Sequence, residues 1–371
     1  MANILTLNKK AEEGFKDFLS FLLKSEKVKG IFTLKKMDND DSVSYSFITN
    51  LDELKKSAPL HPLMPVNAGK ALSRFTLNSP LKEPVAAVLR PCELRAFVEL
   101  VKRAQGSVDN ILLISLTCGG VFPMESINGD EFKKNLPGYW ESVKKGENNS
   151  LIRPTCSICQ HFIPYTADMA VDLVGDKNID SRCQIVLNTD KGEEFAKDAP
   201  GSTSAGKGDY EGSKNLNEKR KEEREKVFNK YDKDKIGIKG LVDIFAACLN
   251  CHGCSNSCPI CYCTLCEFES KTAEYTPANF EGEVNQKGGV RVPPGTLFFH
   301  TGRMLHMGVS CVNCGMCSDV CPVDISVATI FSYIGDSIQE AFEYIPGKNI
   351  EEPVPSSTYK EEEFGELGEG I

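Results

Sequence analysis

Two cysteine runs near the C-terminus constrain this chain more than any other feature. They read Cys248-Leu-Asn-Cys251-His-Gly-Cys254-Ser-Asn-Ser-Cys258-Pro259 and Cys311-Val-Asn-Cys314-Gly-Met-Cys317-Ser-Asp-Val-Cys321-Pro322. Both follow the pattern C-x2-C-x2-C-x3-C-P, in which the first three thiols bind one [4Fe-4S] cluster and the fourth binds its neighbour. The runs therefore predict two clusters that exchange their fourth ligands. The two ligand sets are Cys248, Cys251, Cys254 and Cys321, and Cys311, Cys314, Cys317 and Cys258.

Zinc and disulfides are the alternative explanations for a chain with sixteen cysteines. Structural zinc uses two C-x2-C pairs, without a regular third cysteine or a following proline, so the pattern favours iron–sulphur clusters. Disulfides suit short secreted domains, and no secretory signal opens this sequence. Cys261, Cys263 and Cys266 fall outside the two runs. They could serve another metal centre, shield the first cluster or be buried thiols.

Composition and charge exclude two classes of function. The net charge is −9, and part of the acidic excess lies in the tail at residues 351–371, which predicts a solvated, mobile end. No basic stripe with interleaved aromatic residues indicates nucleic-acid binding. No stretch approaches the roughly 20 apolar residues that a membrane span requires. We therefore expect a cytoplasmic protein without a membrane span.

The chain organisation predicts an α/β (or α+β) N-terminal domain and a C-terminal ferredoxin-like domain with two [4Fe-4S] clusters. Apolar runs predict strands at 31–34, 42–49, 84–90 and 110–116, and helical spacing at 93–104 completes a parallel βαβ unit. The segment 201–212 is expected to be a flexible linker, residues 215–230 a solvated helix, and residues from Ile325 a helix over the second cluster. The predicted domains are 1–190, a charged linker or helix at 191–236, the cluster domain at 237–346 and the acidic tail at 347–371.

Four more cysteines lie in the N-terminal region. Cys92 and Cys118 each follow a predicted strand, where open α/β sheets gather ligands. Cys156 and Cys159 form a C-x2-C pair after Arg153-Pro-Thr. From the residues alone these four could equally be buried small side chains, and the pair could be a redox dithiol. Cys183 is expected to be buried without a ligand role, and His252, His300 and His306 are expected to be structural.

The N-terminal pattern resembles the beta subunits of coenzyme F420 hydrogenases and formate dehydrogenases. The resemblance covers roughly 85–195 and includes the Pro91-Cys92 turn, Cys118, the C-x2-C pair and the Ala167-Asp168 segment. It implies an iron–sulphur flavoprotein, with FAD in the N-terminal domain and the deazaflavin coenzyme F420 as a substrate. It also implies a third [4Fe-4S] cluster, held by Cys92, Cys118, Cys156 and Cys159. No G-x-G-x-x-G fingerprint is present, so no residue is assigned to FAD.

Two residues differ from the pattern of that family, and they leave a second resemblance open. Leu89 and Arg90 precede Pro91-Cys92, where members of that family have glycine and threonine. The arginine version, together with the run from Cys248 to Cys263, is similar to the iron–sulphur A subunit of anaerobic sulphite reductases. That relative implies a subunit that carries electrons through clusters without a flavin.

The sequence therefore predicts an electron-transfer subunit of an anaerobic oxidoreductase complex. Electrons would pass between a hydride donor or acceptor, or a formate dehydrogenase or hydrogenase, and a partner of the heterodisulfide-reductase type. A flavin suits the entry point because hydride donors deliver two electrons while clusters carry one. Nothing in the sequence resembles a molybdopterin or nickel site, so the chain is not expected to activate formate or hydrogen itself.

Overall fold

The computed structural model describes residues 2–37, 42–127, 130–206, 208, 210–231, 233–271, 276–289 and 295–358. The strands are β1 Ala2–Leu7, β2 Gly30–Lys36, β3 Val43–Ile48, β4 Val85–Val88, β5 Ile111–Leu116, β6 Met169–Val171, β7 Cys183–Leu187 and β8 Ser202–Gly206. The helices of the first half are α1 Ala11–Lys24, α2 Leu51–Lys55, α3 Ala68–Phe75, α4 Pro91–Lys102, α5 Asp130–Lys145, α6 Pro154–Ser157 and α7 Asp190–Ala196. Those of the second half are α8 Lys214–Phe228, α9 Lys233–Phe245, α10 Gly253–Ser257, α11 Pro277–Lys287, α12 Thr296–Met307, α13 Met316–Asp319 and α14 Val327–Ala341.

The strands form one mixed sheet in the order β3-β2-β4-β5-β6-β7-β1-β8. The central strands β2, β4, β5 and β6 are parallel, and the remaining neighbours are antiparallel. All residues of β4 and β5 are buried, as expected for strands covered by helices on both faces. The predicted α/β class is confirmed, and so are the four strands and the parallel β4-α4-β5 unit predicted from the sequence.

Helix α4 begins where the chain leaves β4, because its first turn is capped from several sides. Pro91 occupies the first helical position, where its missing N–H costs nothing. The buried Glu93 carboxylate accepts hydrogen bonds from the Arg90 N–H at 2.9 Å, the Ala68 N–H at 3.0 Å and the Tyr45 hydroxyl at 2.6 Å. This network fixes the turn that carries Cys92.

The predicted flexible linker at 201–212 is wrong. Strand β8 pairs antiparallel with β1, with Ala2 opposite Gly206, and closes one edge of the sheet. Its residues are mostly exposed, so the strand is held by main-chain hydrogen bonds and lacks the apolar alternation by which a strand is recognised. Residues 207 and 209 lie outside the described residues.

The helix predicted at 215–230 exists, but it is not simply solvated. Arg220 of α8 is buried against the first half of the chain, and Arg224 lies between the first half and α14. The guanidinium of Arg220 donates to the carbonyls of Cys118 and Gly119, and that of Arg224 to the carbonyl of Ile158. Alternating charge in the sequence does not distinguish these two buried arginines from their exposed neighbours.

The cysteine-rich half is built from helices. Phe245, Met304, Ile330 and Phe331 form its small core, against which several thiols pack. Helix α14 is present as predicted from Ile325 onward. The described part of this half has no strand, so the ferredoxin-like fold stays a prediction from the cysteine spacing. Of the predicted acidic tail, residues 359–371 lie outside the described residues. No helix among the described residues has the length and hydropathy of a membrane span.

Candidate functional site: three thiol groups

The four N-terminal cysteines line one cavity with about 390 Å³ of empty space. We call Cys92, Cys118, Cys156 and Cys159 the inner group. Because β4 and β5 are parallel neighbours, the residues that follow them, Cys92 and Cys118, emerge at the same edge of the sheet. The Arg153 N–H donates to the carbonyl of Val121 at 2.8 Å and so brings the C-x2-C segment to this edge. The structure therefore brings together all four residues of the predicted set.

A second cavity, with about 430 Å³ of empty space, is lined by the thiols of the middle group. This group consists of Cys258, Cys311, Cys314 and Cys317. Ala328 and Phe331 of α14 close one side, which agrees with the predicted covering helix. Cys258 comes from the first cysteine run and the other three from the second, so the chain brings together the exchanged set that the spacing predicts.

The remaining predicted set, the outer group, consists of Cys248, Cys251, Cys254 and Cys321. Burial raises the pKa of Cys248, and the nearby thiols of Cys251 and Cys321 raise it further. Burial and the same two thiols also raise the pKa of Cys254. Cys251 is exposed, whereas the other three are only partly so. The outer group therefore lies at the protein surface.

Burial raises the pKa of several thiols in the inner and middle cavities. It raises the pKa of Cys156 to about 11, that of Cys311 to about 11 and that of Cys314 to about 12. Metal ligation requires the thiolate, so metal uptake at these cysteines would release protons. Among the described residues, no group of three or more His, Cys, Asp or Glu side chains is placed to hold a metal ion.

The inner and middle cavities share a wall. Asn313 and Cys314 line both of them, so a single stretch of the second cysteine run separates the two groups of thiols. Arg153 supports this wall from the first half of the chain, since its guanidinium donates to the Cys314 carbonyl at 3.5 Å and to the Met64 carbonyl at 2.9 Å. Any redox groups held in the two cavities would be close neighbours.

Buried arginines face the thiols. The guanidinium of Arg90 donates to the Cys118 sulphur at 3.5 Å, and that of Arg303 to the Cys254 sulphur at 3.0 Å. Both side chains are 2% exposed, and among the described residues neither forms an ion pair with a carboxylate. The Nε atoms of both also have no hydrogen-bond partner there. A buried charge needs a compensating charge, and clusters held by four thiolates would supply it. The surroundings of the thiols therefore fit anionic clusters.

These arginines were not predicted as site residues. Arg90 and Arg153 stand two and three positions before a predicted ligand, which is a signal that the sequence does offer. Arg220 and Arg303 lie far along the chain from the thiols they approach, and no local pattern marks them. His300 lies 3.4 Å from the Cys248 sulphur through its Nε2, stacked on Phe245.

The other cysteines lie outside the three groups. Cys261, Cys263 and Cys266 line a separate pocket with about 530 Å³ of empty space, beside Arg303 and His306. The pKa of Cys258 falls to about 6 because the Cys261 thiol donates a hydrogen bond to its sulphur. Cys183 of β7 is buried as expected, and burial raises its pKa to about 12.

Known proteins show where this architecture belongs. This is an α/β chain in which a sheet-containing half carries one group of thiols and a helical half carries two. The F420-dependent formate dehydrogenase 1 subunit beta of Methanococcus maripaludis is 31% identical over 372 aligned residues, which cover 90% of each chain. The F420-dependent formate dehydrogenase subunit beta of Methanocaldococcus jannaschii is 27% identical over 88% of this chain and 89% of that one. The chain belongs to the family of beta subunits of F420-dependent formate dehydrogenases.

Two further comparisons add little. No family model matches the chain. A chain of the F420-reducing [NiFe] hydrogenase complex from Methanosarcina barkeri, solved as a xenon derivative, matches 62% of this chain and 91% of its own length. It is 12% identical with a TM-score of 0.43, which is too distant to support a shared fold.

Proposed function

We propose that this chain is an iron–sulphur flavoprotein subunit that carries electrons between coenzyme F420 and the catalytic subunit of a formate dehydrogenase. The inner, middle and outer groups would each hold one [4Fe-4S] cluster, and FAD would lie in the sheet-containing half. The observation that carries the proposal is the wall shared by the inner and middle cavities. The family supports the substrate and the partner, because relatives bear the name F420-dependent formate dehydrogenase.

The residues of this chain have defined tasks in that scheme. FAD, when bound, would convert a two-electron hydride transfer into single electrons, and the clusters would carry one electron each. The inner cavity receives electrons in the interior, where the thiols of Cys92 and Cys156 are only partly accessible. The outer group, with Cys251 exposed, offers the exit toward a partner subunit. The thiols would bind the clusters, and the buried arginines would balance the negative charge of the clusters.

Metal content tests the three-cluster assignment. Protein purified without oxygen should contain about twelve irons and about twelve acid-labile sulphides per chain, because each cluster contributes four of each. Substitution of Cys156→Ser together with Cys159→Ser should remove about four irons, since it takes two ligands from the inner group. The control Cys183→Ala alters a buried cysteine outside the three groups and should leave the iron content unchanged.

Several outcomes would count against parts of the proposal. Zinc in place of iron would overturn the assignment of all three groups. About eight irons in the unaltered chain, unaffected by the double substitution, would exclude an inner cluster. Acid release of FAD into the supernatant supports the flavoprotein. A full iron content without released flavin would instead favour the flavin-free subunit that resembles the sulphite reductase A subunit.

The partner is tested by copurification. Mass spectrometry of the proteins retained with the chain under anaerobic conditions should find the catalytic subunit of a formate dehydrogenase. Recovery of a hydrogenase or of a heterodisulfide-reductase-type assembly without it would contradict the formate dehydrogenase assignment and redirect the electron path.

A further inference from the structure

Arg303 lies on α12 and points its guanidinium into the space between the outer and the middle group. Its Nη1 donates to the sulphur of Cys254 at 3.0 Å, and its Nη2 donates to the carbonyl of the same residue at 3.1 Å. The same side chain lines the middle cavity together with Cys258 and Cys317. One buried cation therefore lies against both groups of thiols.

The position of Arg303 is fixed by its neighbours. Its guanidinium lies 5.3 Å from the ring centroid of Phe299 and 4.9 Å from that of Phe331. The side chain is 2% exposed, so little water screens its charge. Within the described part of the chain it forms no ion pair, and its Nε has no hydrogen-bond partner. The positive charge is thus directed at the thiols without a carboxylate to neutralise it.

A fixed cation beside a cluster favours the reduced form. Reduction adds one electron to the cluster and makes it more negative, whereas the guanidinium keeps its proton throughout. The attraction between the cation and the added electron therefore lowers the free energy of the reduced state. Hydrogen bonds to ligand sulphurs act in the same direction, and both effects set the potentials of iron–sulphur proteins.

We propose that Arg303 is a positioning residue that raises the reduction potentials of the outer and middle clusters together. This inference rests on the proposed function, because it requires clusters in both groups. Since one side chain acts on both clusters, it would shift both potentials in the same direction and so would not by itself separate them.

Two other charged side chains lie near these groups. The Lys70 Nζ, from α3, donates to the carbonyls of Cys258 at 2.7 Å, Asn256 at 2.9 Å and Cys261 at 3.2 Å, and within the described residues no hydrogen bond joins it to a sulphur. Glu269 lines the neighbouring pocket and accepts a hydrogen bond from the Ser255 hydroxyl at 2.9 Å. Of these three side chains, only Arg303 combines a contact with a predicted ligand sulphur and a place in the wall of the middle cavity.

Reduction monitored by electron paramagnetic resonance tests this inference on the full-length anaerobic protein, with dithionite as the reductant. In Arg303→Gln, two of the three cluster signals should appear only at lower potential than in the unaltered chain. Arg303→Lys keeps the charge but loses the paired hydrogen bonds of the guanidinium. The shift of the potentials should therefore be in the same direction and smaller. The control Arg220→Gln removes another buried arginine, which lines the inner cavity and donates to the carbonyls of Cys118 and Gly119 and to the Asn148 side chain, and should leave those two potentials unchanged.

The outcomes separate this inference from the proposed function. Unchanged potentials in Arg303→Gln with full iron content would overturn the role of Arg303 while leaving the clusters intact. If Arg303→Gln loses iron, the reduction potentials of Arg303→Lys are measured in its place. Because lysine keeps the charge and loses the guanidinium hydrogen bonds, a small shift of both potentials to lower values would then support the role of Arg303, whereas no shift, or a shift of one cluster alone, would overturn it. Absence of iron from the unaltered chain would instead overturn the proposed function itself.

Discussion

At the scale of single residues, the two halves of the chain are joined by buried charge. Arg153 precedes α6 in the first half, and its Nη2 lies 2.5 Å from the Asp319 carboxylate at the end of α13. Their side chains are 2% and 4% exposed. The Arg153 guanidinium also contacts the carbonyl of Cys314, so the pair stabilises the wall between the inner and middle cavities. Asp319 lies within the second cysteine run and Arg153 precedes the C-x2-C pair, but no local pattern shows that the two side chains meet.

Asp319→Asn tests this pair. The substitution leaves the buried Arg153 guanidinium without its counter-charge, so we expect the free energy of unfolding to fall by about 3–5 kcal/mol. The matched control is Asp52→Asn, which removes the partner of Lys55 from a pair whose side chains are 91% and 77% exposed. Exposed pairs contribute little, so the control should unfold at the same denaturant concentration as the unaltered chain. Equal effects of the two substitutions would show that the buried pair does not hold the halves together.

At the scale of elements, the sequence pattern predicted the helices and strands whose formation depends on nearby residues. The apolar runs of β4 and β5 and the helical spacing of α4 were sufficient for the parallel unit, because these elements are contiguous and buried. The cysteine spacing likewise indicated which thiols lie together. Strand β8 was missed because its residues are held to β1 by main-chain hydrogen bonds. The buried faces of α8 were missed because burial of Arg220 depends on the distant carbonyl of Gly119.

The approach of the segment after β8 to the loop after β6 gives a prediction at this scale. Gly175 has a φ of +79°, and a Cβ there would lie 2.3 Å from the carbonyl oxygen of Gly212. Gly175→Ala should therefore lower the free energy of unfolding by about 1–3 kcal/mol. In the control Gly138→Ala, within α5, a Cβ meets nothing within 4 Å. That substitution should raise stability by about 0.5–1 kcal/mol, because alanine is the better helix former. Denaturant unfolding measures the change in stability of both variants. A change of the same sign in the two would contradict the close approach of Gly175 and Gly212.

At the scale of the whole molecule, the first half supplies one thiol group and the second half supplies two. The C-terminal segment after α14 returns to α4, where the Arg95 Nε donates to the Pro346 carbonyl at 2.7 Å and the Gly347 N–H donates to Glu99 at 2.8 Å. This packing places the second cysteine run against the inner cavity. The sequence predicted the members of each group, but the order inner, middle, outer follows only from how the halves pack.

The shared wall makes a prediction about magnetic coupling between the clusters proposed for the inner and middle groups. When both are reduced, their unpaired electrons should interact and broaden the electron paramagnetic resonance signals, because such coupling rises steeply as the distance falls. Cys314→Ser alters a residue that lines both cavities and should abolish the broadening while the inner cluster signal persists. Cys251→Ser makes the same chemical change in the exposed outer group and should leave the inner–middle interaction intact. Broadening that survives Cys314→Ser, or that disappears equally in Cys251→Ser, would mean that the electron path does not cross from the inner to the middle group at this wall.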